Sequence, residues 1–461
     1  MSHEAAARPA RAPIRVVDLE ISDRIPDIQA ARGEECPAVG VRAIVRLHRV
    51  PIGLVDARLS ESGLTGNELA ELVNTQLADV IAAHLCADGV DATTGAPWSP
   101  VDGSATPAQR WMGFHEGSVA VAACRVRPAI GSSPPTLSVV IPTRDRPERV
   151  LACVRSALAT GYPGLDVVVV DNAPSSDETE QAIARAGLPG VRYVREPRAG
   201  TSRARNLGLR EARGDLVAFL DDDVLVDPAW AAAVAQGFLS DPDVDCVTGP
   251  IVAAELETDA QVLIEEYGGF DKGFTRRVFD PASPPAGAPL LPYAVGTLGS
   301  GANMAFRRSV ILGLGGFDVA LGGGTASRGG EDLAAFLGIL LGGSRLAYEP
   351  SMLVRHYHHR SYAKLRRVLF GYGLGLGAYL ARTVIKDPRQ VAGIGRRLPR
   401  GVAYMFDPGS PKNAKRRSDY PRELTVREWI GLALGPVAYA TARLRTLRRR
   451  GDHVESELGS G

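Results

Sequence analysis

Residues 215–228 read Asp215-Leu-Val-Ala-Phe-Leu-Asp-Asp-Asp-Val-Leu-Val-Asp-Pro228. Leu216 to Leu220 is a short, uniformly apolar run, the pattern of a strand buried on both faces. It ends abruptly in three carboxylates, Asp221, Asp222 and Asp223. A core does not tolerate three adjacent ionised acids unless something cationic meets them. Side chains alternate along a strand, so Asp221 and Asp223 share one side and Asp222 faces the other. Two hard oxygen ligands on one side suit Mg2+ or Mn2+, ions that usually arrive holding a substrate's phosphates. The competing reading is a solvated acidic turn before a helix near Pro228, since acids favour a helix N-terminus.

The flanking sequence decides between the two. Leu137 to Ile141 predicts a second buried strand, Pro147 to Ala159 a helix, and Asp166 to Val170 a strand ending at Asp171-Asn172. Asp177 to Ala186 predicts a helix, Val191 to Val194 a strand, and Gly200 to Arg213 a helix that leads into the acidic strand. Strands alternating with helices predict an α/β fold with a parallel, doubly wound sheet. Ligands of such sheets bind beyond the carboxyl ends of the strands. Thr143 to Arg146, Asp171-Asn172 and the Asp triplet all fall there. Three polar strand ends on one edge are far more specific than any one of them.

The chain has 461 residues, of which 45% are hydrophobic, enough for two or three domains with a sizeable core. Its net charge of +1 gives no reason to expect a nucleic-acid partner. The charge is unevenly placed, with 21 Lys and Arg against 5 Asp and Glu between Arg360 and Arg450. That excess points to an anionic partner such as a membrane surface or a phosphorylated lipid. The five cysteines are widely spaced and form no CxxC pair, which predicts reduced cytosolic thiols rather than a disulfide frame or zinc site. The first 30 residues hold acids and prolines and no apolar run, unlike a signal peptide.

Residues 1–33 read as a flexible arm. Residues 34–127 read as a small α+β module of unassigned role. In it a strand from Gly40 to Arg49 turns at Pro51-Ile52-Gly53 into a second strand, Leu54 to Leu59. An amphipathic helix follows from Gly66 to Leu85, then a proline-containing loop and a strand near Val119 to Val126. His48 and His115 read as surface or packing residues. Residues 128–136 form a linker, residues 137–360 the catalytic-type domain, and residues 361–461 a basic, partly helical region.

Leu137-Ser-Val-Val-Ile-Pro-Thr-Arg-Asp-Arg146, Val167-Val-Val-Val-Asp-Asn172, Gly200-Thr-Ser-Arg-Ala-Arg-Asn-Leu-Gly208 and Phe219-Leu-Asp-Asp-Asp223 follow one another in order. With Gly299-Ser-Gly-Ala-Asn-Met-Ala-Phe-Arg-Arg308, Gly315-Gly-Phe-Asp318 and Gly329-Gly-Glu-Asp332, this series strongly resembles the family 2 glycosyltransferases. The resemblance covers roughly residues 137–360. It implies the GT-A fold, a Rossmann-like doubly wound sheet. It also implies inverting, Mn2+- or Mg2+-dependent transfer of sugar from a nucleotide-diphosphate sugar. The acceptor hydroxyl would belong to a sugar, a lipid-linked glycan or a small molecule, as in cell-envelope or polysaccharide synthesis.

The same resemblance assigns residues. Pro142, Thr143 and Asp145 would line the base pocket, and Asp171 and Asn172 would hold base or ribose. The family usually has Asp where this chain has Asn172. Arg205 would approach the diphosphate. Asp221 and Asp222 would contact the donor nucleotide, while Asp223, with Asp221 and His356, would hold the metal. Asp332 would be the base that takes the acceptor proton, with Glu331 its neighbour. Gly301, Asn303 and Arg307 would shape the acceptor side. Two rivals are a sugar-phosphate nucleotidyltransferase and a non-catalytic nucleotide-sugar-binding or scaffold protein. Pro142-Thr-Arg-Asp145 is not the first rival's glycine-rich signature, and the intact Asp223 and Asp332 argue against the second.

Val368 to Ala381 and Trp429 to Ala442 are each 14 residues without charge, flanked by arginines. Both are shorter than the roughly 20 residues needed to span a bilayer. They suit helices lying in an anionic interface on the cytoplasmic face of a membrane.

Overall fold

The structure is a computed structural model that describes residues 11–30, 37–88, 124–268, 270–284 and 288–458, with only the backbone described for 449–458. The N-terminal module is a three-stranded sheet of β1 (Ile14–Glu20), β2 (Gly40–Leu47) and β3 (Val50–Arg58), covered by helix α1 (Gly66–Ala87). β1 pairs parallel to β2, so part of the expected arm is a strand. Its Arg- and Pro-rich flanks hide the short alternating run Ile14 to Glu20. The hairpin turn also moves: β2 and β3 are joined at His48-Arg49, and Pro51 lies within β3 opposite a register shift at Val45/Arg46. Proline is tolerated at such an irregularity because the ladder there lacks a regular hydrogen bond. Of the strand expected near 119–126, only 124–126 are described, and they are not in a strand.

The second unit follows the predicted alternation. β4 (Leu137–Thr143), α2 (Pro147–Leu158), β5 (Asp166–Asn172), α3 (Glu178–Ala186), β6 (Val191–Glu196), α4 (Thr201–Glu211) and β7 (Leu216–Leu220) come in order. Next are β8 (Val224–Val226), α5 (Trp230–Leu239), β9 (Val244–Thr248), β10 (Ile251–Ala253), α6 (Asp259–Glu266) and β11 (Arg277–Phe279). β12 (Asn303–Arg307), α7 (Arg308–Gly313), α8 (Glu331–Leu341), β13 (Arg345–Tyr348) and β14 (Val354–His356) complete it.

Eight strands form one sheet in the order β11-β13-β9-β12-β7-β4-β5-β6. β7, β4, β5 and β6 are mutually parallel, whereas β12 runs antiparallel to both β7 and β9. The sheet is therefore mixed, with the Rossmann-like parallel half that the resemblance implies. From β4 the chain steps outward through β5 and β6, then returns to place β7 on β4's other side. That reversal leaves a crevice at the carboxyl ends of β4 and β7. A small sheet, β10-β14-β8, sits beside it.

The basic C-terminal region is helical: α9 (Tyr362–Lys386), α10 (Gln390–Phe406) and α11 (Arg422–Leu458). α9 is long and apolar enough by length and composition to cross a membrane, with 44% of its apolar window buried inside the structure. It exceeds the 14-residue uncharged run because Lys364, Arg366, Arg367, Arg382 and Lys386 lie in its end turns. α9 and α11 touch at backbone distance through glycines. A Cβ on Gly377 would stand 2.2 Å from the Leu432 carbonyl oxygen and 3.0 Å from Gly435 Cα. Gly377→Ala should therefore cost about 1–3 kcal/mol by overpacking. Gly395→Ala, with no atom within 4 Å of the new methyl, should be neutral or stabilise by up to about 1 kcal/mol. Chemical denaturation midpoints of the two variants check the contrast.

Candidate active site

β7 is wholly buried, and its carboxyl end delivers Asp221, Asp222 and Asp223 into the crevice. Asp222 points to the β4 side, where the Thr143 hydroxyl donates to it at 2.7 Å and Arg146 Nη1 at 2.9 Å. Burial pushes its carboxyl up to about 6, against the opposing pull of Arg146. Asp222, expected among the donor contacts, is 6% exposed and taken up by these two neighbours. It fastens β7 to the loop after β4.

Asp223 shares Arg146 with Asp222 and also meets β14. Arg146 Nη1 lies 3.1 Å from one of its oxygens and His356 Nε2 3.1 Å from the other. Burial alone would raise its carboxyl; the bond and charge of His356, with Arg146, hold it well below the usual carboxylate range. β14 sets His356 in place by pairing it with Val224 of β8 and Ala253 of β10. Ligand atoms of Asp221, Asp223 and His356 lie within 4.8 Å of one another. Two hard oxygens and one imidazole suit Mn2+ or Mg2+, with Mn2+ accepting the nitrogen more readily.

Arg205, on α4, is 2% exposed and collects the acids from two segments. It donates to Asp221 at 3.0 Å, Glu331 at 2.9 Å and the Gly301 carbonyl at 3.0 Å. The resemblance placed it against the diphosphate; here its Nη groups are engaged by protein carboxylates. Glu331 is 7% exposed, and desolvation raises its carboxyl in spite of Arg205. Its neighbour Asp332 is only partly buried and accepts from the backbone N–H of Gly301 and of Leu333, each at 2.8 Å. Gly301 thus holds Arg205 by its carbonyl and Asp332 by its N–H. A Cβ there would come within 3.1 Å of both Arg205 nitrogens and of Asp332 Cβ.

The β5 side of the crevice holds one buried acid. Asp171, at the end of β5, is fully buried, and burial pushes its carboxyl up. Oδ2 accepts from the Tyr193 hydroxyl at 3.0 Å, while Oδ1 has no partner among the described residues. Asn172 is committed to backbone: its amide donates to the Arg198 carbonyl at 2.9 Å and accepts from the Gly200 N–H at 2.8 Å. Asp145 is exposed at φ 54° and accepts from the Ser175 N–H at 2.8 Å. Pro142 and Thr143 register with Val170 and Asp171 across β4 and β5.

Two residues expected on the acceptor side are engaged in structural bonds. Asn303 is fully buried and links the Trp230 indole N–H to the carbonyls of Pro250 and Met352. Arg307 pairs with Leu216, at the far end of β7 from the acids, and bonds the Val244 carbonyl at 3.1 Å. Because β12 runs antiparallel to β7, its last residue must point away from the crevice.

His358 is a weaker candidate beside His356 for the metal, whereas Glu265, Arg42 and Tyr372 carry no local sequence signal. His356 Nδ1 lies 3.1 Å from His358, whose Nε2 meets Glu265 at 2.8 Å, and Arg42 of β2 reaches Glu265 at 2.8 Å. A polar chain therefore runs from the N-terminal module to the Asp223 carboxylate. Tyr372 of α9 exposes part of its ring, while burial and Asp221, Asp223 and Asp332 together push its hydroxyl up.

Residues 138–312 match the model of the family described as glycosyl transferase family 2. Those residues form a family 2 glycosyltransferase domain. A pre-mycofactocin glycosyltransferase of Mycobacterium tuberculosis is 30% identical over 235 residues, 50% of this chain and 45% of that protein. A glucosyl-dolichyl phosphate glucuronosyltransferase of Haloferax volcanii is 27% identical over 194 residues, 40% of this chain and 57% of that one. The chain thus spans about half the length of these curated relatives. Among solved structures, a mannosyltransferase from Pyrobaculum calidifontis in complex with GDP-Man and Mn2+ aligns at a TM-score of 0.40 and 19% identity. It covers 70% of this chain and 81% of that one. The matched stretch holds Arg205, the Asp triplet and Gly301, and stops before Glu331, Asp332 and His356.

Glu265 offers a test of the polar chain behind His356. The bond and charge of His358, with Arg42, outweigh burial and hold its carboxyl at about 2, below the 4.5 of a free Glu. A depressed pKa means that its stabilisation is complete above about pH 4.5 and fades as pH falls toward 2. Glu265→Gln should lower stability by about 3 kcal/mol at pH 7. The gap from the wild type should shrink in urea titrations at pH 4.

Proposed function

We propose that the chain transfers a sugar from a nucleotide-diphosphate sugar to an acceptor hydroxyl, inverting the anomeric carbon, with Mn2+ or Mg2+ as cofactor. The observation that carries this reading is the Arg205–Gly301 clamp. It brings an acid of the cation cluster, Asp221, and a partly open carboxylate, Asp332, to one crevice. Asp223, His356 and Asp221 would hold the cation, which would offset the charge of the departing nucleoside diphosphate. The unpartnered Oδ1 of Asp171 fits an N–H of the base or a ribose hydroxyl.

Asp332 is the general base. A carboxylate has about four acceptor sites, and the two backbone N–H groups fix it while leaving two free. It can then take the proton of an acceptor hydroxyl attacking from the face opposite the diphosphate. Glu331 and Arg205 are positioning residues, since each is turned toward the other. The Tyr372 ring offers an apolar face to an acceptor sugar.

The acceptor is a sugar, lipid-linked glycan or small molecule, in cell-envelope or polysaccharide synthesis. We place the chain in the cytoplasm, in contact with an anionic membrane. Support comes from an exposed apolar row on α11 (Val426, Ile430, Leu434, Val437) and another on α10 (Leu398, Val402, Phe406). Arginines flank both rows, the arrangement of an interfacial helix.

Turnover of UDP-, GDP- and dTDP-sugars with Mn2+ and with EDTA tests the reading. Transfer should require the cation. Asp332→Asn should lower kcat by about 10^2–10^4 with nucleotide affinity kept, while Asp223→Asn should lose the cation-dependent part of that affinity. Full transfer by Asp332→Asn would overturn the assignment. For the membrane, flotation with anionic vesicles should be lost on Leu434→Asp with Val437→Asp, and transfer to a soluble acceptor should persist.

A further inference from the structure

The N-terminal module holds a second cluster of ligating side chains, remote from the chemistry above. His48, His84, Asp88 and Cys124 are 5%, 6%, 5% and 9% exposed. Their ligand atoms lie within 4.8 Å of one another. His48 Nδ1 is 2.9 Å from Asp88 Oδ2, which is 3.3 Å from His84 Nε2, which is 3.4 Å from Cys124 Sγ. Four ligands on one zinc ion, with bonds of roughly 2.0–2.3 Å, stand about 3.3–3.8 Å apart. The observed spacings differ from that by only a few tenths of an ångström for these neighbours.

We propose that His48, His84, Asp88 and Cys124 form a structural zinc site in the N-terminal module. Two neutral imidazoles, a carboxylate and a thiolate balance the charge of Zn2+ and include the soft ligand that Mg2+ and Mn2+ lack. The set is closed, with four protein ligands and none left to water or substrate, as in sites that hold structure. Asp88 is braced from outside the set, because its Oδ1 accepts the Arg125 N–H at 2.7 Å. Such support orients a ligating carboxylate.

The backbone points the same way. His48 and Arg49 occupy the two-residue turn between β2 and β3 at φ 53° and 69°. That turn favours Asn-Gly or similar pairs, because other residues are strained at positive φ. His48 is held there with its ring turned into the cluster. His84 and Asp88 come from the last turn and the cap of α1, one helical turn apart. Cys124 arrives from 40 residues beyond His84. One ion would tie a hairpin, a helix end and a distant segment together.

A catalytic use of the cluster fits less well. In a Cys-His-Asp relay the thiol and the acid address opposite nitrogens of the imidazole. Here Asp88 Oδ2 and Cys124 Sγ both approach His84 Nε2. Little in the residue order signals the site, because the four ligands come as singles with no CxxC or HxxxH spacing.

The test uses the full chain purified without added metal. Mass spectrometry of its metals should find one zinc per chain, retained in Asp223→Asn, which disables the catalytic cation cluster. It should be lost in Cys124→Ser. The chain reloaded with Co2+ should show a thiolate-to-cobalt charge-transfer band that Cys124→Ser abolishes. His48→Asn, which tolerates the positive φ, should weaken zinc binding at least about tenfold, and it keeps the test decisive if Cys124→Ser does not fold. A wild-type chain with neither zinc nor the cobalt–thiolate band overturns the proposal. So does a band that survives Cys124→Ser, or zinc affinity unchanged in His48→Asn.

Discussion

The buried guanidinium of Arg205 is the interaction on which the catalytic crevice depends. Asp221, Asp222, Asp223, Glu331 and Asp332 crowd one sheet edge, and like charges at such spacing resist joint ionisation. Arg205 answers two of them directly, and its bond to the Gly301 carbonyl fixes the loop that orients Asp332. Arg146 and His356 answer Asp222 and Asp223. Five carboxylates against two arginines and one imidazole leave a deficit that a divalent cation can fill. An acidic turn of purely structural use would have no reason to gather acids from segments so far apart in the chain.

The crevice is also buttressed from outside the domain. Arg46 reaches Asp227, just past β8, at 2.5 Å, and Asp18 pairs with Arg355 of β14. Arg42 anchors Glu265 behind His358. The N-terminal module thus grips β14, which carries His356, and the residue just past β8, one of its two neighbours. On the opposite flank, α9 lies against α8, where a Cβ on Gly330 would meet the Gly375 carbonyl oxygen at 2.5 Å. α8 begins at Glu331, so the helix that carries the proposed base is seated on the C-terminal region.

How much of this was legible in the sequence follows from how local each signal is. The parallel half of the sheet was readable because β4, β5 and β7 are mostly apolar runs alternating with helical stretches, and their ends bear the polar groups. β8, β10, β11 and β14 were not, since strands of three residues carry no period and depend on partners far away. The Asp triplet and Glu331-Asp332 could be read, but not that Asp222 and Glu331 would serve as supports. Burial and partner choice decide that, and neither is written in residue type. Asn172 shows the same limit: its amide could have met a base, and it holds the Gly200 turn instead. Arg307 was misplaced because the antiparallel direction of β12 is a tertiary fact. His356 was recognised by resemblance, whereas Glu265 lay hidden, with partners 93 and 223 residues away.

Anomalous scattering from crystals soaked in Mn2+ with a nucleoside diphosphate addresses the central claim most directly. The account predicts a manganese peak in contact with Asp223 and His356, diphosphate oxygens on its open side, and the Asp332 carboxylate facing the same space. Nucleotide bound with no manganese at Asp223, or with Asp332 turned away behind Gly301, would contradict it.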